Sequence, residues 1–60
     1  MIIEIISEVY YVFDFPMMDV LCEENGKRYE ATICCHHIEI VKNATLPFSL
    51  DNVDYQLKLF

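Results

Sequence analysis

The residues best suited to chemistry are four consecutive side chains, Cys34, Cys35, His36 and His37. Thiolate and imidazole are ligands that zinc prefers, but a zinc site needs four groups that converge tetrahedrally. Consecutive residues of an extended segment point alternately to opposite faces, so this run cannot enclose an ion alone. One metal hypothesis remains, in which Cys34 and His36 supply half a site between two copies of the chain. The alternative is a small core cysteine beside edge or turn histidines, and we expect no metal or other cofactor.

The sequence offers no arrangement of a nucleophile and its base. A Cys–His pair needs a third group that orients the base, and none is evident. Ser7 lacks the Gly-x-Ser-x-Gly context of a nucleophile elbow. The single glycine is too few for a phosphate-cradling loop. Glu23 and Glu24 form an acidic pair beside a turn, where carboxylates are solvated. We therefore predict that the protein is not an enzyme.

The element that must position the Cys-His segment is a hairpin centred on Asn25-Gly26. Asn-Gly between two alternating runs is the strongest short hairpin signal, because both residues tolerate the positive φ of a type I′ turn. The predicted register pairs Glu24 with Lys27, Glu23 with Arg28, Cys22 with Tyr29, Val20 with Ala31 and Met18 with Ile33. One face is then apolar and the other mostly polar, whereas a three-residue loop would mix the two patterns.

The flanking segments also favour strands. Residues 2–15 are rich in β-branched and aromatic residues and predict one long, bent strand, although their polar positions also fit a helix. Phe15-Pro16 should end this strand. Residues 38–42 predict a short strand, and residues 42–45 a turn. Residues 46–52 suit one helical turn, and residues 53–60 predict a last strand with Val53, Tyr55, Leu57 and Leu59 facing inward.

These elements predict an all-β fold in a single domain over residues 1–60. We expect a four- or five-stranded antiparallel curled sheet or a small SH3-like barrel, with a short helical turn before the last strand. The SH3-like alternative is an analogy.

The composition predicts a partner. Apolar residues make up 55% of the 60 residues, more than so small a core can bury. We therefore expect a homodimer or another protein partner, with some of the following exposed or in an interface: Ile2, Ile6, Tyr10, Val12, Leu21 and Phe60. The net charge of −6 disfavours direct binding to nucleic acid or to an anionic membrane and favours a basic protein partner. Three cysteines and no secretory signal predict free thiols and a cytoplasmic location.

Acidic residues recur at the outward positions of the predicted strands. Such positions lie about 6.6 Å apart along a strand, comparable to the spacing of phosphates along a nucleic-acid strand. Tyr10 and Leu21 would add apolar anchors among the carboxylates. The alternative is an ordinary solvated face. The predicted partner-binding residues are Glu4, Glu8, Tyr10, Asp14, Asp19, Leu21, Glu23 and Glu30.

The acidic hairpin carries a resemblance to a known family. Residues 20–29, VLCEENGKRY, together with Leu57-Lys58-Leu59, resemble the short acidic uracil-DNA glycosylase inhibitors of phi29-like bacteriophages. Those proteins have an acidic Gly-Lys hairpin, a tyrosine after it and a final alternating strand. The resemblance implies a dimer that mimics DNA in the groove of the enzyme. It covers under half of the chain, and the Cys-Cys-His-His segment departs from the pattern.

Three functional hypotheses follow. The first is a small acidic interaction protein, a phage-type inhibitor that occupies a basic, nucleic-acid-binding site on another protein. The second is a structural or accessory SH3-like subunit whose apolar excess is buried in a larger assembly. The third is the homodimer linked by a metal at Cys34 and His36.

Overall fold

The computed structural model describes residues 1–58, which form a five-stranded antiparallel sheet with a short helix against one face. The elements are β1 (Ile2–Ile5), β2 (Tyr10–Val12), β3 (Phe15–Glu24), β4 (Lys27–Cys34), α1 (His37–Lys42), a 3₁₀ turn (Leu50–Asn52) and β5 (Tyr55–Leu57). The strand order is β1-β3-β4-β5, and β2 lies beside β3 on the same edge as β1. The predicted antiparallel sheet with a helical turn before its last strand is confirmed, and the sheet is open rather than a closed barrel.

The central hairpin has the predicted register along its whole length. Cys22 lies opposite Tyr29, Val20 opposite Ala31, and Glu24 opposite Lys27. Asn25 and Gly26 have φ values of 52° and 80°, which match a two-residue turn of type I′. The turn and the alternation of the strands therefore specify one pairing.

The prediction of one continuous strand over residues 2–15 is wrong, as is its helical alternative. The chain leaves the sheet after β1 and returns as β2, so both strands pair with β3 in turn. It then reverses at Phe13 and Asp14, which have φ values of 49° and 69°. Phe15 and Pro16 open β3 instead of ending a strand. The proline is tolerated because the β4 ladder starts one residue later, where Met17 faces Cys34.

Residues 38–42, predicted as a strand, belong to helix α1. Ile38 and Val41 are buried and stand three residues apart, so they occupy one side of the helix and pack on the sheet. The last strand is shorter than predicted, and its Tyr55 and Leu57 are 46% and 53% exposed because no described element covers them. The predicted inward position of Leu59 and the exposure of Phe60 lie outside the described residues.

The core lies between one face of the sheet and the segment that contains α1 and the 3₁₀ turn. Its buried apolar residues are Ile2, Met18, Val20, Cys22, Ala31, Ile33, Ile38, Val41, Leu50 and Val53. The suggestion that Ile2 is exposed is wrong, because Ile2 pairs with both Cys22 and Phe48. Ile6 and Val12 are exposed as suggested. Neither helical segment within residues 1–58 has the length and apolar character required to cross a bilayer.

We expect Gly26→Val to lower the free energy of unfolding by about 1 kcal/mol or more, because a β-branched residue resists positive φ. A Cβ at Gly26 would meet no atom within 4 Å, so the cost is one of backbone conformation and not of packing. Gly26→Asn is the matched control, since asparagine tolerates this conformation. Urea denaturation measures both variants. Equal stabilities for the two would contradict the type I′ turn.

Candidate functional site

The candidate site is the face of the sheet on the side away from α1. No other described element covers this face. We call it the outer face. Residues directly opposite each other in antiparallel strands share a face, so the ladder pairs identify its members. They are Glu4, Tyr10, Val12, Phe15, Met17, Asp19, Leu21, Glu23, Arg28, Glu30, Thr32, Cys34 and Gln56. Five of the predicted partner-binding positions, with Asp19 as a sixth, therefore lie on one surface.

One row across the outer face combines two carboxylates with an apolar side chain. Glu4 of β1 lies opposite Leu21 of β3, and Leu21 lies opposite Glu30 of β4. Neighbouring strands are about 4.8 Å apart, so the backbones at Glu4 and Glu30 are separated by about 10 Å. Glu4 is exposed, and Leu21 and Glu30 are half-buried. This row can present two negative charges on either side of an apolar contact.

The remaining acidic positions are distributed around this row. Glu23 lies next along β3, and its Oε2 accepts a hydrogen bond of 3.2 Å from Arg28 Nε. Glu8 is exposed in the segment between β1 and β2, and Asp14 is exposed in the turn between β2 and β3. Asp14 thus stands at the far end of β3 from Glu23. The structure brings Glu4, Glu23 and Glu30 together and places Asp14 apart from them.

Asp19 differs from the other acidic residues. The prediction that it is exposed is wrong, because it is only 7% exposed. Its Oδ1 accepts hydrogen bonds from the hydroxyls of Tyr10 at 2.6 Å and Thr32 at 3.1 Å, and its Oδ2 accepts one from Lys58 Nζ at 2.7 Å. Its backbone N–H donates to Ser7 Oγ at 2.8 Å. We call Ser7, Tyr10, Asp19, Thr32 and Lys58 the Asp19 cluster.

The hydrogen bonds of this cluster decide the protonation of its members. Burial alone would raise the pKa of the Asp19 carboxyl, but the hydrogen bonds from Lys58, Tyr10 and Thr32 outweigh burial and hold that pKa below its usual value. The hydrogen bond with Asp19 is the main cause that raises the pKa of the Tyr10 hydroxyl and of the Lys58 ammonium. At neutral pH the cluster is therefore a carboxylate held by an ammonium and two hydroxyls.

The cluster changes the roles predicted for its members. Tyr10, predicted as an apolar anchor, is 37% exposed and uses its hydroxyl to cover Asp19. Ser7, Thr32 and Lys58 were not among the predicted site residues. Thr32 and Lys58 were at outward positions of the predicted strands, whereas Ser7 fell among the apolar odd positions of residues 2–15. Asp19 and Lys58 are 39 positions apart in the sequence, so no local signal connects them.

The residues of the Cys-His segment are divided between β4, the following turn and α1. Cys34 ends β4, and His36 is exposed just before α1. The imidazoles of His36 and His37 are tilted by 37° with their centroids 4.0 Å apart, and His37 Nε2 lies 3.4 Å from Asp54 Oδ2. Within residues 1–58, no three His, Cys, Asp or Glu side chains converge for a metal ion. Cys22, Cys34 and Cys35 are free cysteines in the structure.

Exposed aromatic residues occupy β2, the turn that follows it and the start of β3. Tyr11, Phe13 and Phe15 are 70%, 91% and 59% exposed, and we call them the aromatic hairpin. Phe13 and Phe15 line an apolar groove of about 340 Å³ together with Val12, Met17, Cys34 and Cys35. A group of large apolar side chains on the surface of a small domain is typical of a contact with another molecule.

Comparisons of the chain with models of protein families, with curated proteins and with solved structures gave no match. Its function is therefore inferred below from the positions and charges of its own residues.

We expect Asp19→Asn to lower the free energy of unfolding at pH 7 by about 1 to 3 kcal/mol, because Lys58 loses its charged acceptor. Folding depresses the pKa of Asp19, so the stabilisation is present at neutral pH and is lost as the pH falls below about 4. Urea denaturation should therefore show a difference from wild type that shrinks at pH 2 to 3. Glu4→Gln, on the same face, is the control. A difference independent of pH would contradict the role of the carboxylate.

Proposed function

We propose that the protein is a small acidic interaction module whose outer face binds a basic surface of another protein. The row of Glu4, Leu21 and Glu30 is the observation that carries the proposal, because it aligns two carboxylates around an apolar contact. Interfaces combine apolar anchors with charges that steer the partner and fix its register. An uncovered face of an antiparallel sheet provides a rigid platform for both.

The ion pairs within the chain leave this surface negative. Arg28 pairs with Glu23, and Lys58 pairs with Asp19 at 2.7 Å and with Glu30 at 3.8 Å. Among residues 1–58, Glu4 and Glu8 have no cationic partner within 4.0 Å. On this surface the four acidic residues Glu4, Asp19, Glu23 and Glu30 outnumber Arg28 and Lys58 by two, and Glu8 in the adjacent β1–β2 segment adds a third net negative charge. This balance favours a cationic partner and disfavours a nucleic acid.

The finer proposal is a phage-type inhibitor that mimics nucleic acid. The resemblance of residues 20–29 to the uracil-DNA glycosylase inhibitors supports it, as does the location of Glu23, Leu21 and Glu30 on that hairpin. A protein that binds DNA has a basic groove adapted to phosphates, and carboxylates at strand spacing can occupy such a groove. Inhibition would then need no catalytic residue in this chain.

The direct test measures uracil excision by a bacterial uracil-DNA glycosylase as this protein is added. We expect inhibition by the wild-type protein, and we expect the double variant Glu4→Lys with Glu8→Lys to associate at least about tenfold more slowly, because charged residues govern electrostatic steering. Raising the salt from about 50 to 200 mM should weaken the wild-type complex. Surface plasmon resonance measures the association rates.

The matched control is the double variant Glu39→Lys with Asp51→Lys. It changes the net charge equally, but both residues are exposed on α1 and the 3₁₀ turn, on the opposite side of the sheet. We expect this control to lose less than about threefold in association rate. Equal losses of association rate in the two double variants would show that the net charge, and not the outer face, governs association. Unchanged uracil excision at saturating concentrations of this protein would contradict the proposal that it inhibits this glycosylase. A pull-down from a lysate would then be used to search for another basic partner.

A second candidate function is favoured by the aromatic hairpin. We propose, as the alternative, an accessory subunit that buries Tyr11, Phe13 and Phe15 in a larger assembly. Phe13 is 91% exposed and has a φ of 49°, a conformation that is unfavourable for a bulky side chain. Its side chain therefore adds little packing within the chain while its backbone is strained. Such strain is typical of a residue retained for a contact with another molecule.

We expect Phe13→Asn to raise the free energy of unfolding by about 0.5 to 1 kcal/mol, because asparagine accepts positive φ and little packing is lost. If the hairpin is an interface, the same variant should weaken the assembly by about tenfold or more, and salt should have little effect. Thermal unfolding and retention in a pull-down measure the two changes. Ile40→Asn on the exposed side of α1 is the control. A variant that is more stable and binds as well as wild type would contradict this alternative.

A further inference from the structure

Three sulfur-containing side chains line one apolar groove at the end of the outer face. Cys34 is the last residue of β4, Cys35 follows it, and Met17 lies opposite Cys34 in the ladder. All three line the groove of about 340 Å³, whose remaining walls are Val12, Phe13 and Phe15. Each of these six side chains ends in carbon or sulfur. The groove thus offers soft, polarizable atoms and no charged oxygen.

Consecutive cysteines share this groove because the chain changes direction between them. In a regular strand Cys34 and Cys35 would point to opposite faces, but Cys35 has a φ of 56°. Its N–H donates to the carbonyl oxygen of Pro16 at 3.0 Å, and its own carbonyl oxygen accepts from the N–H of Ile38 at 3.1 Å. Residues on both sides therefore fix this conformation.

The two thiol groups are also neighbours. Burial, and then a hydrogen bond with the Cys35 thiol, raise the pKa of the Cys34 thiol. A disulfide within the pair is unfavourable. Adjacent Cα atoms lie about 3.8 Å apart, which is shorter than the usual 4.4 to 6.8 Å of a disulfide.

We propose that Met17, Cys34 and Cys35 form a binding site for a soft metal ion, Cu(I). Thiolate and thioether ligands select Cu(I), and three sulfur donors in an apolar groove suit an ion that accepts low coordination numbers. Zinc is disfavoured because a structural zinc site takes four ligands. Two sulfurs that share one ion at about 2.3 Å each lie no more than about 4.6 Å apart, so neighbouring thiols can share it without forming a bond. Binding releases the thiol protons.

The test uses the whole protein under nitrogen, titrated with Cu(I) in competition with the coloured chelator bicinchoninate. We expect one Cu(I) per chain. Cys34→Ser and Cys35→Ser should each weaken binding by more than the roughly 10- to 100-fold that loss of an outer-shell partner costs. Met17→Leu should weaken it by a smaller factor. Met18→Leu is the matched control, because Met18 is buried on the opposite face, and it should bind as wild type does.

Two measurements on the wild-type protein do not depend on how the variants fold. X-ray absorption at the copper edge should show sulfur neighbours alone, and bound Cu(I) should protect Cys34 and Cys35 from alkylation by N-ethylmaleimide. A nitrogen shell, with binding lost in His36→Gln or His37→Gln, would assign the ion to the histidines and overturn the proposal. Wild-type affinity in Cys34→Ser with Cys35→Ser would overturn it as well. The proposal is independent of the acidic interface, since Glu4→Lys with Glu8→Lys should bind Cu(I) normally.

Discussion

The hydrogen bonds to the Asp19 carboxylate hold the outer face together. Asp19 is near the middle of β3. Its carboxylate accepts hydrogen bonds from Tyr10 of β2, Thr32 of β4 and Lys58 of the segment after β5. Both edges of the sheet are therefore joined to the central hairpin at one side chain. A buried carboxylate is costly unless it is paired and hydrogen-bonded, so this arrangement persists only while its partners remain in place. The outer face has no hydrophobic core packed against it. These hydrogen bonds order its side chains, as packing in the core orders the side chains of the opposite face.

The sequence specified some of these features and not others. The central hairpin was predictable residue by residue, because Asn25-Gly26 and the alternation around it act locally. The turn at Phe13 was missed because aromatic residues favour strands and rarely adopt positive φ. Helix α1 was missed because six residues are too few to show a helical periodicity in the sequence. At the candidate site, Glu4, Leu21 and Glu30 could be placed from strand alternation, whereas the burial of Asp19 depends on Lys58, which is distant in the sequence.

The two proposed surfaces lie at opposite ends of the same face. Leu21, with the carboxylates around it, is four residues from Met17 along β3, or about 13 Å. The Asp19 cluster separates them. Its Lys58 Nζ lies 2.7 Å from Asp19 Oδ2 and 3.8 Å from Glu30 Oε1, so one cation faces two carboxylates and the carboxylate row keeps a net negative charge. A basic partner and a soft metal ion can therefore bind without sharing a residue. Any communication between them would have to pass through Asp19 and the strand that carries it.

The interruption between β1 and β2 also bears on how copies of this chain can aggregate. An open sheet edge is a template on which another strand can add. Here β1 and β2 are only four and three residues long, and residues 7–9 interrupt the edge between them. Phe48 also pairs with Ile2 on the edge of β1 that faces away from β3. A foreign strand would find few consecutive backbone groups to bind. The same irregularity that supplies Ser7 to Asp19 thus limits the addition of a foreign strand at the β1–β2 edge.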